Sequence, residues 1–313
     1  LVSGLRYGIS VDYSKIYVPG FYRIIENNTY ENEFEIGFKL LVKLCAVFVR
    51  KPWFMFFIMA VITLLLFFHS FRRCSKNFMI SVSLFFLMGI YFDTFNGIRQ
   101  YVAVGIFLYA VRYVQEKNFC KFLILMISAG LFHSSAFFLI PVYWLNKVNI
   151  NIKKWLVAIM ILFLFRNQMT NLFVLILSNF GKYSDYVVRG TLENNTDFST
   201  SGLLVSIIAC IPCVINEKRM REEDEGKLFF NMVMIGIAIA AISGVLPLSE
   251  RILYYCKGMY LLAIPFALNL CNCKKTQQLL SYGIILMYGS ITTMGIIIMG
   301  WYDVLPYQSI FSK

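Results

Sequence analysis

Long uncharged runs separated by short basic clusters dominate this chain. Trp53 to Phe68, Phe78 to Phe92, Ile98 to Val114, Gly202 to Ile215, Leu228 to Leu246, Ile252 to Leu270 and Leu279 to Gly300 are apolar. A bilayer core of roughly 30 Å is crossed by about 20 helical residues, so these runs predict membrane helices. Trp155 to Phe165 and Leu172 to Phe180 are shorter apolar runs of the same kind. Phe34 to Phe48 differs: apolar residues recur at helical spacing, interrupted by Lys39 and Lys43, which predicts an amphipathic helix lying in the interface.

Composition supports the class. Hydrophobic residues make up 59% of the chain and charged ones 15%, with mean hydropathy +0.68; soluble domains carry roughly 25% charged residues. The expected fold is an all-α polytopic membrane protein with about 9–11 transmembrane or re-entrant helices, in one membrane domain over 1–313. Leu1 to Leu5 read as the tail of an apolar segment, so a preceding span is expected to be truncated.

The net charge of +12 sits largely in short loops at 71–76, 115–121, 147–154, 217–227 and 274–275. Retention of Lys and Arg on the cytoplasmic side explains that distribution. With no basic helix or stacking platform, nucleic acid is not an expected partner. Placing those loops inside leaves the C-terminus, residues 93–98 and 247–251, and the extracytoplasmic loops of about 6–51 and 181–201 outside. Arg50-Lys51 runs against this sidedness. Both flanks of Phe122–Leu145 then fall inside, so that segment enters and returns as two half-helices with His133-Ser134-Ser135 at the tip. The alternative is one ordinary span with inverted topology beyond it.

Arg6, Asp12, Asp93, Arg99, His133, Arg189, Glu250 and Arg251 all approach the outer face in this arrangement. Ionisable residues at the membrane are costly and are functional candidates by default. Arginine forks match phosphate, and a carboxylate or imidazole can take a proton from a hydroxyl. Tyr7, Tyr13, Tyr17, Tyr183, Tyr186, Tyr254 and Tyr255 offer rings and hydroxyls suited to sugars. Each has a plainer reading. Arg99 can snorkel from a helix start, His133 can be a bonded core residue, Glu250-Arg251 a solvated turn, and Asp12 a helix cap. Cys210-x-x-Cys213 lacks a second ligand pair, and no metal or cofactor is expected. No GxxxxGK, HExxH or GxSxG occurs, which removes support for ATPase, zincin and hydrolase readings.

Four stretches carry a resemblance. They are Leu5-Arg6-Tyr7-Gly8 with Asp12-Tyr13 and Tyr17; Asn96-Gly97-Ile98-Arg99-Gln100 with Ala103; Leu131 to Ala136; and Glu250-Arg251 with Tyr254-Tyr255. With the hydropathy profile, they resemble the EpsG-like branch of the Wzy-type polysaccharide polymerases. That resemblance implies a multi-pass enzyme of the bacterial plasma membrane, of the C-type glycosyltransferase kind. It implies transfer of a glycan from one polyprenyl-diphosphate-linked oligosaccharide to another on the outer face. Membrane lipid, a chain-length regulator and a flippase are the partners it implies. Diphosphate binding then falls to Arg99 and Arg251, with Arg6 and Arg189 next. The base is His133, then Glu250, then Asp12, and Tyr13, Tyr17, Asp93, Tyr186 and Tyr254 are the sugar contacts. The rivals are a membrane O-acyltransferase acting on polysaccharide and a transporter or flippase for lipid-linked glycans.

Overall fold

The structure, a computed structural model, describes residues 2–26, 34–166, 168, 200–243 and 249–312. Within them the regular structure is helical, with an isolated antiparallel bridge between Arg6 and Ser309. The chain is an all-α polytopic membrane protein. The chain has two compact units, Leu1–Trp144 with Cys271–Lys313, and Leu145–Leu270.

In the first unit, a short π-helical turn at Tyr13–Tyr17 leads into α1 (Val18–Ile25), followed by α2 (Ile36–Phe48) and α3 (Pro52–Cys74). Pro52 suits the first turn of α3, where no backbone donor is needed. α2 has the two faces expected of it. Phe38, Val42 and Cys45 are buried, while Leu40, Leu44, Val47 and Phe48 are exposed. Its spacing of i, i+4 and i+7 puts the first set on one side.

The run Phe78–Phe92, expected as one span, is instead two helices: α4 (Phe78–Leu87) and α5 (Ile90–Asn96), bent by 54°. Gly89 makes the break. Its φ of +77° is left-handed, and a Cβ there would sit 2.1 Å from the Tyr302 hydroxyl oxygen. The break leaves helix-end carbonyls without intrahelical partners, and Thr292 Oγ1 donates to one of them, Leu87 O, at 2.6 Å. α6 (Ile98–Gln115) is buried on nearly all faces and packs along α3.

Phe122–Leu145 folds as a hairpin. α7 (Phe119–Gly130) starts with Asn118 capping Lys121 N at 3.1 Å. The returning limb, Ser134–Lys147, is 3-10 rather than α-helical and contains Pro141, which cannot donate to a helical ladder. Phe119 lies 5.0 Å from the Tyr143 ring and Phe122 lies 5.4 Å from it, so the start of one limb faces the end of the other. His133 is in the turn between them. α13 (Lys274–Ile297) completes the unit against α4.

The two ends of this unit are chemically distinct. At one, the His69 ring lies 5.2 Å from that of Tyr109, which brings the 71–76 and 115–121 loops together. At the other, the N-terminal segment meets α5, the start of α6, the hairpin turn and the C-terminal residues. Tyr7 N donates to Gln308 O at 2.9 Å, and Ile310 N to Leu5 O at 2.9 Å.

The second unit contains α8 (Ile152–Leu164), α9 (Thr200–Ile215), α10 (Glu217–Met220), α11 (Asp224–Ala241) and α12 (Ser249–Asn269). α12 is buried on every face from Gly258 to Leu268, where it carries no charge. Its start corrects the sequence reading: Glu250 and Arg251 are in the first helical turn, not in a connection. Asn231 ties α11 to its surroundings, donating to Leu145 O and Val148 O and accepting from Trp155 Nε1 at 3.1 Å. Glu217 Oε1 accepts from Ile152 N at 2.8 Å, and Arg221 Nε donates to Asn149 Oδ1 at 2.7 Å. The 147–154 and 217–227 loops therefore share one end. Among the described residues α3, α12 and α13 are long and apolar enough to cross a membrane, and the bent pair α4–α5 makes a fourth.

Candidate functional site

The second end of the first unit concentrates polar groups. Gly97 ends α5 and starts α6, which puts Arg99 in the first turn of α6. The Arg99 guanidinium stands over the rings of Phe34 at 4.9 Å, Phe38 at 5.7 Å and Tyr17 at 5.9 Å. It forms an ion pair with Glu35. The Arg99 side chain is 17% exposed and that of Glu35 19%. Three aromatic faces favour a cation there, and the rim position leaves the pair within reach of solvent.

Glu35 also reaches the hairpin. Its Oε1 accepts from Ser134 N at 3.3 Å. Beside it, Gly37 N donates to Leu131 O at 2.8 Å. A Cβ on Gly37 would lie 2.7 Å from that same oxygen, so the close approach requires glycine. The turn itself is short: His133 N donates to Ala129 O at 2.9 Å and Ala136 N to His133 O at 3.1 Å. His133 is buried, with Nδ1 2.6 Å from Ser135 Oγ. The Arg99 guanidinium and the Ser134 N–H thus converge on one carboxylate, an arrangement that suits an anionic oxygen.

Asp12 belongs to the same end. Its N–H donates to Asn96 Oδ1 at 3.1 Å. Burial pushes its carboxyl up, and the nearby positive charge of Arg99 pulls it down. Burial likewise raises the Tyr17 hydroxyl, again opposed by Arg99. Asp12 precedes the π-helical turn but makes no side-chain cap bond to it.

Other candidates have firmer structural ties. Arg6 is 1% exposed and donates to Ser3 O and, at 2.6 Å, to Phe95 O. It lies over Phe56 at 4.8 Å and Phe95 at 5.2 Å. Burial lowers its pKa to about 10, so it stays charged at neutral pH. Tyr13 is buried and stacks on Phe56 at 4.5 Å, and the buried Tyr17 ring meets Phe38 edge-on at 5.9 Å. Their faces are occupied by protein rather than open to a sugar. Asp93 accepts from Tyr101 Oη at 3.0 Å.

Glu250, Arg251 and Tyr254 are on α12 of the second unit. Glu250 is exposed, Arg251 half-buried, and Lys257 Nζ lies 5.4 Å over the Tyr254 ring. Tyr186 and Arg189 lie outside the described residues. Among the described residues no three His, Cys, Asp or Glu side chains gather as metal ligands.

Sequence reasoning missed Glu35. An acidic residue at an N-cap is ordinarily read as a cap, and Glu35 does occupy that position on α2. It makes no cap bond with its own helix. Its partners are 64 and 99 residues away, and no local pattern signals that.

A family model, that of the EpsG family, matches residues 1–309 of the chain. No curated protein and no solved structure matches.

Proposed function

The chain belongs to the EpsG family, of EpsG/Wzy-like polysaccharide polymerases, and we propose on that premise that it joins polyprenyl-diphosphate-linked oligosaccharide units into a surface polysaccharide. The reaction takes place on the outer face of the bacterial plasma membrane. The bond between the anomeric carbon and the diphosphate oxygen breaks, and the diphosphate leaves with the electron pair. A hydroxyl oxygen of the second unit forms the new glycosidic bond. Its proton passes to a base.

The observation that supports this assignment is the convergence of the Arg99 guanidinium and the hairpin-tip N–H on one acidic group, next to His133. A leaving diphosphate gains charge as the bond breaks, and fixed donors aimed at that charge lower the barrier. Arg99 is assigned to the diphosphate. His133 is assigned as the base on residue type and its place in the hairpin turn; its Nδ1 lies 2.6 Å from Ser135 Oγ and accepts from Ser135 N at 3.4 Å. Asp12 is another carboxylate at this end, its negative charge interacting with the positive charge of Arg99. Arg251, Glu250 and Tyr254, and also Arg189 and Tyr186, are retained on residue type and resemblance, and each is tested alone. Arg6, Tyr13 and Asp93 are assigned to the frame of the site, held at Phe95 O, the Phe56 ring and Tyr101 Oη respectively. A C-type glycosyltransferase arrangement and work beside a flippase and a chain-length regulator complete the proposal.

Cells lacking the chain are complemented with Arg99→Lys or His133→Ala, and surface polymer length is read on a gel. Single repeat units in place of polymer are expected, because Lys offers a point charge where a fork is needed. Full-length polymer with Arg99→Lys overturns diphosphate binding at that residue. Units trapped inside the cell would point to a flippase, and unchanged length with altered acylation to an O-acyltransferase.

A further inference from the structure

We propose that Glu35 is the positioning residue of this site, its carboxylate holding the Arg99 guanidinium and the His133 hairpin at a fixed separation. The inference rests on the reading of Arg99 as the diphosphate-binding cation. Glu35 begins α2 but leaves its own helix uncapped. One oxygen, Oε2, takes the Arg99 guanidinium and the other, Oε1, takes the Ser134 N–H at 3.3 Å. Ser134 adjoins His133 in the chain, so fixing its amide fixes the turn that presents the imidazole.

Two features make the link stiff. The rings of Phe34, Phe38 and Tyr17 shield the guanidinium, which lowers the local dielectric and strengthens the pair. The Gly37 N–H to Leu131 O bond, 2.8 Å long, anchors the start of α2 to the far side of the same turn. Glu35 therefore cannot follow Arg99 without moving the hairpin. In glycosyl transfer the cation meets the leaving group and the base meets the acceptor. Their separation must match two reacting groups at once. Misplacement of about 1 Å can cost roughly 100-fold in rate.

The test uses the full chain in membrane vesicles, with lipid-linked repeat units extracted from cells lacking it. Initial rates at varied unit concentration separate kcat from KM. Glu35→Gln is expected to lower kcat by roughly 30-fold with KM within about threefold, since geometry rather than ground-state contact is lost. Glu35→Gln with Arg99→Gln is expected to be no slower than Arg99→Gln alone, because the two act as one unit. If Arg99→Gln abolishes polymerisation but Glu35→Gln keeps kcat within twofold, the positioning role is overturned and the diphosphate reading stands. If Arg99→Gln polymerises normally, both fall. Should Glu35→Gln fail to accumulate, Glu35→Asp is read instead: a fall in kcat of more than about twofold with KM within about threefold supports the proposal, and kcat within about twofold of the parent overturns it.

Discussion

Arg6 and Arg99 belong to the same end of the first unit, yet their surroundings differ. Arg6 is 1% exposed, and it donates to the backbone carbonyls of Ser3 and Phe95. One of them, Phe95 O, is at the end of α5, so the cation there satisfies a helix C-terminus. Arg99 is 17% exposed, and its partners are an acidic side chain and the faces of three aromatic rings. A carbonyl clamp is part of the fold and cannot be exchanged without disturbing the chain. A guanidinium at the rim has more N–H donors than one carboxylate takes up, which leaves donors for an incoming anion. The same residue type thus serves the fold in one place and suits a reaction in the other. The partner, and whether water reaches it, makes the distinction.

Substitution tests that contrast directly. The largest expected effect is at Arg6. Arg6→Met removes the donor from two carbonyl oxygens in a dry setting, at about 3 kcal/mol. Thermal melting of the solubilised protein should fall accordingly, while turnover per folded molecule is unchanged. An equal loss of turnover would place Arg6 in the chemistry and erase the distinction. Next, Arg99→Gln should leave stability within about 1 kcal/mol, as expected for a partly exposed pair. Polymer synthesis should drop by roughly 100-fold, the scale for losing a donor aimed at developing charge.

Gly37→Ala probes the connection between the Arg99 site and the hairpin. The added Cβ would meet Leu131 O at 2.7 Å, and relieving that overlap should cost about 1.5 kcal/mol. Melting reads the cost, and a parallel fall in polymer length reads the displaced tip. The smallest effect concerns Asp12. Its folded-state pKa is raised, chiefly by burial, so its charged form weakens the fold. The favourable contribution is present below the unfolded value and is lost as pH rises through the folded one. Asp12→Asn should therefore melt slightly higher than the parent at pH 7, with the gap closing on acidification below about 4, the ordinary aspartate range. Because Arg99 opposes the rise, the gap should widen in Arg99→Gln and hold steady in Arg6→Met.

Much of the fold could be read from the chain. The spans at 52–74 and 274–297 follow from uninterrupted apolar length. The hairpin followed from counting basic residues on both flanks of Phe122–Leu145. That argument used charge and length alone, and neither depends on contacts. The break at Gly89 was not legible, since a glycine in an apolar run is as often helical as not. Its left-handed backbone is held by the approach of Tyr302. The 3-10 form of the returning limb was similarly hidden, although Pro141 was visible.

For the site, residue types were legible, and pairings were not. Arg6, Asp12, Arg99 and His133 stood out because charge in or beside lipid is expensive wherever it occurs. Glu35 did not stand out, because a lone acid in a polar stretch carries no such cost. What the sequence by itself determined was the class of protein and the inventory of costly charges, since these depend on solvent preference, which each residue carries with it. What only the tertiary structure decided was which arginine is committed to the backbone and which faces an acidic partner. That choice depends on atoms brought together from 64 and 89 residues apart, and distances of that kind exist only once the chain has folded.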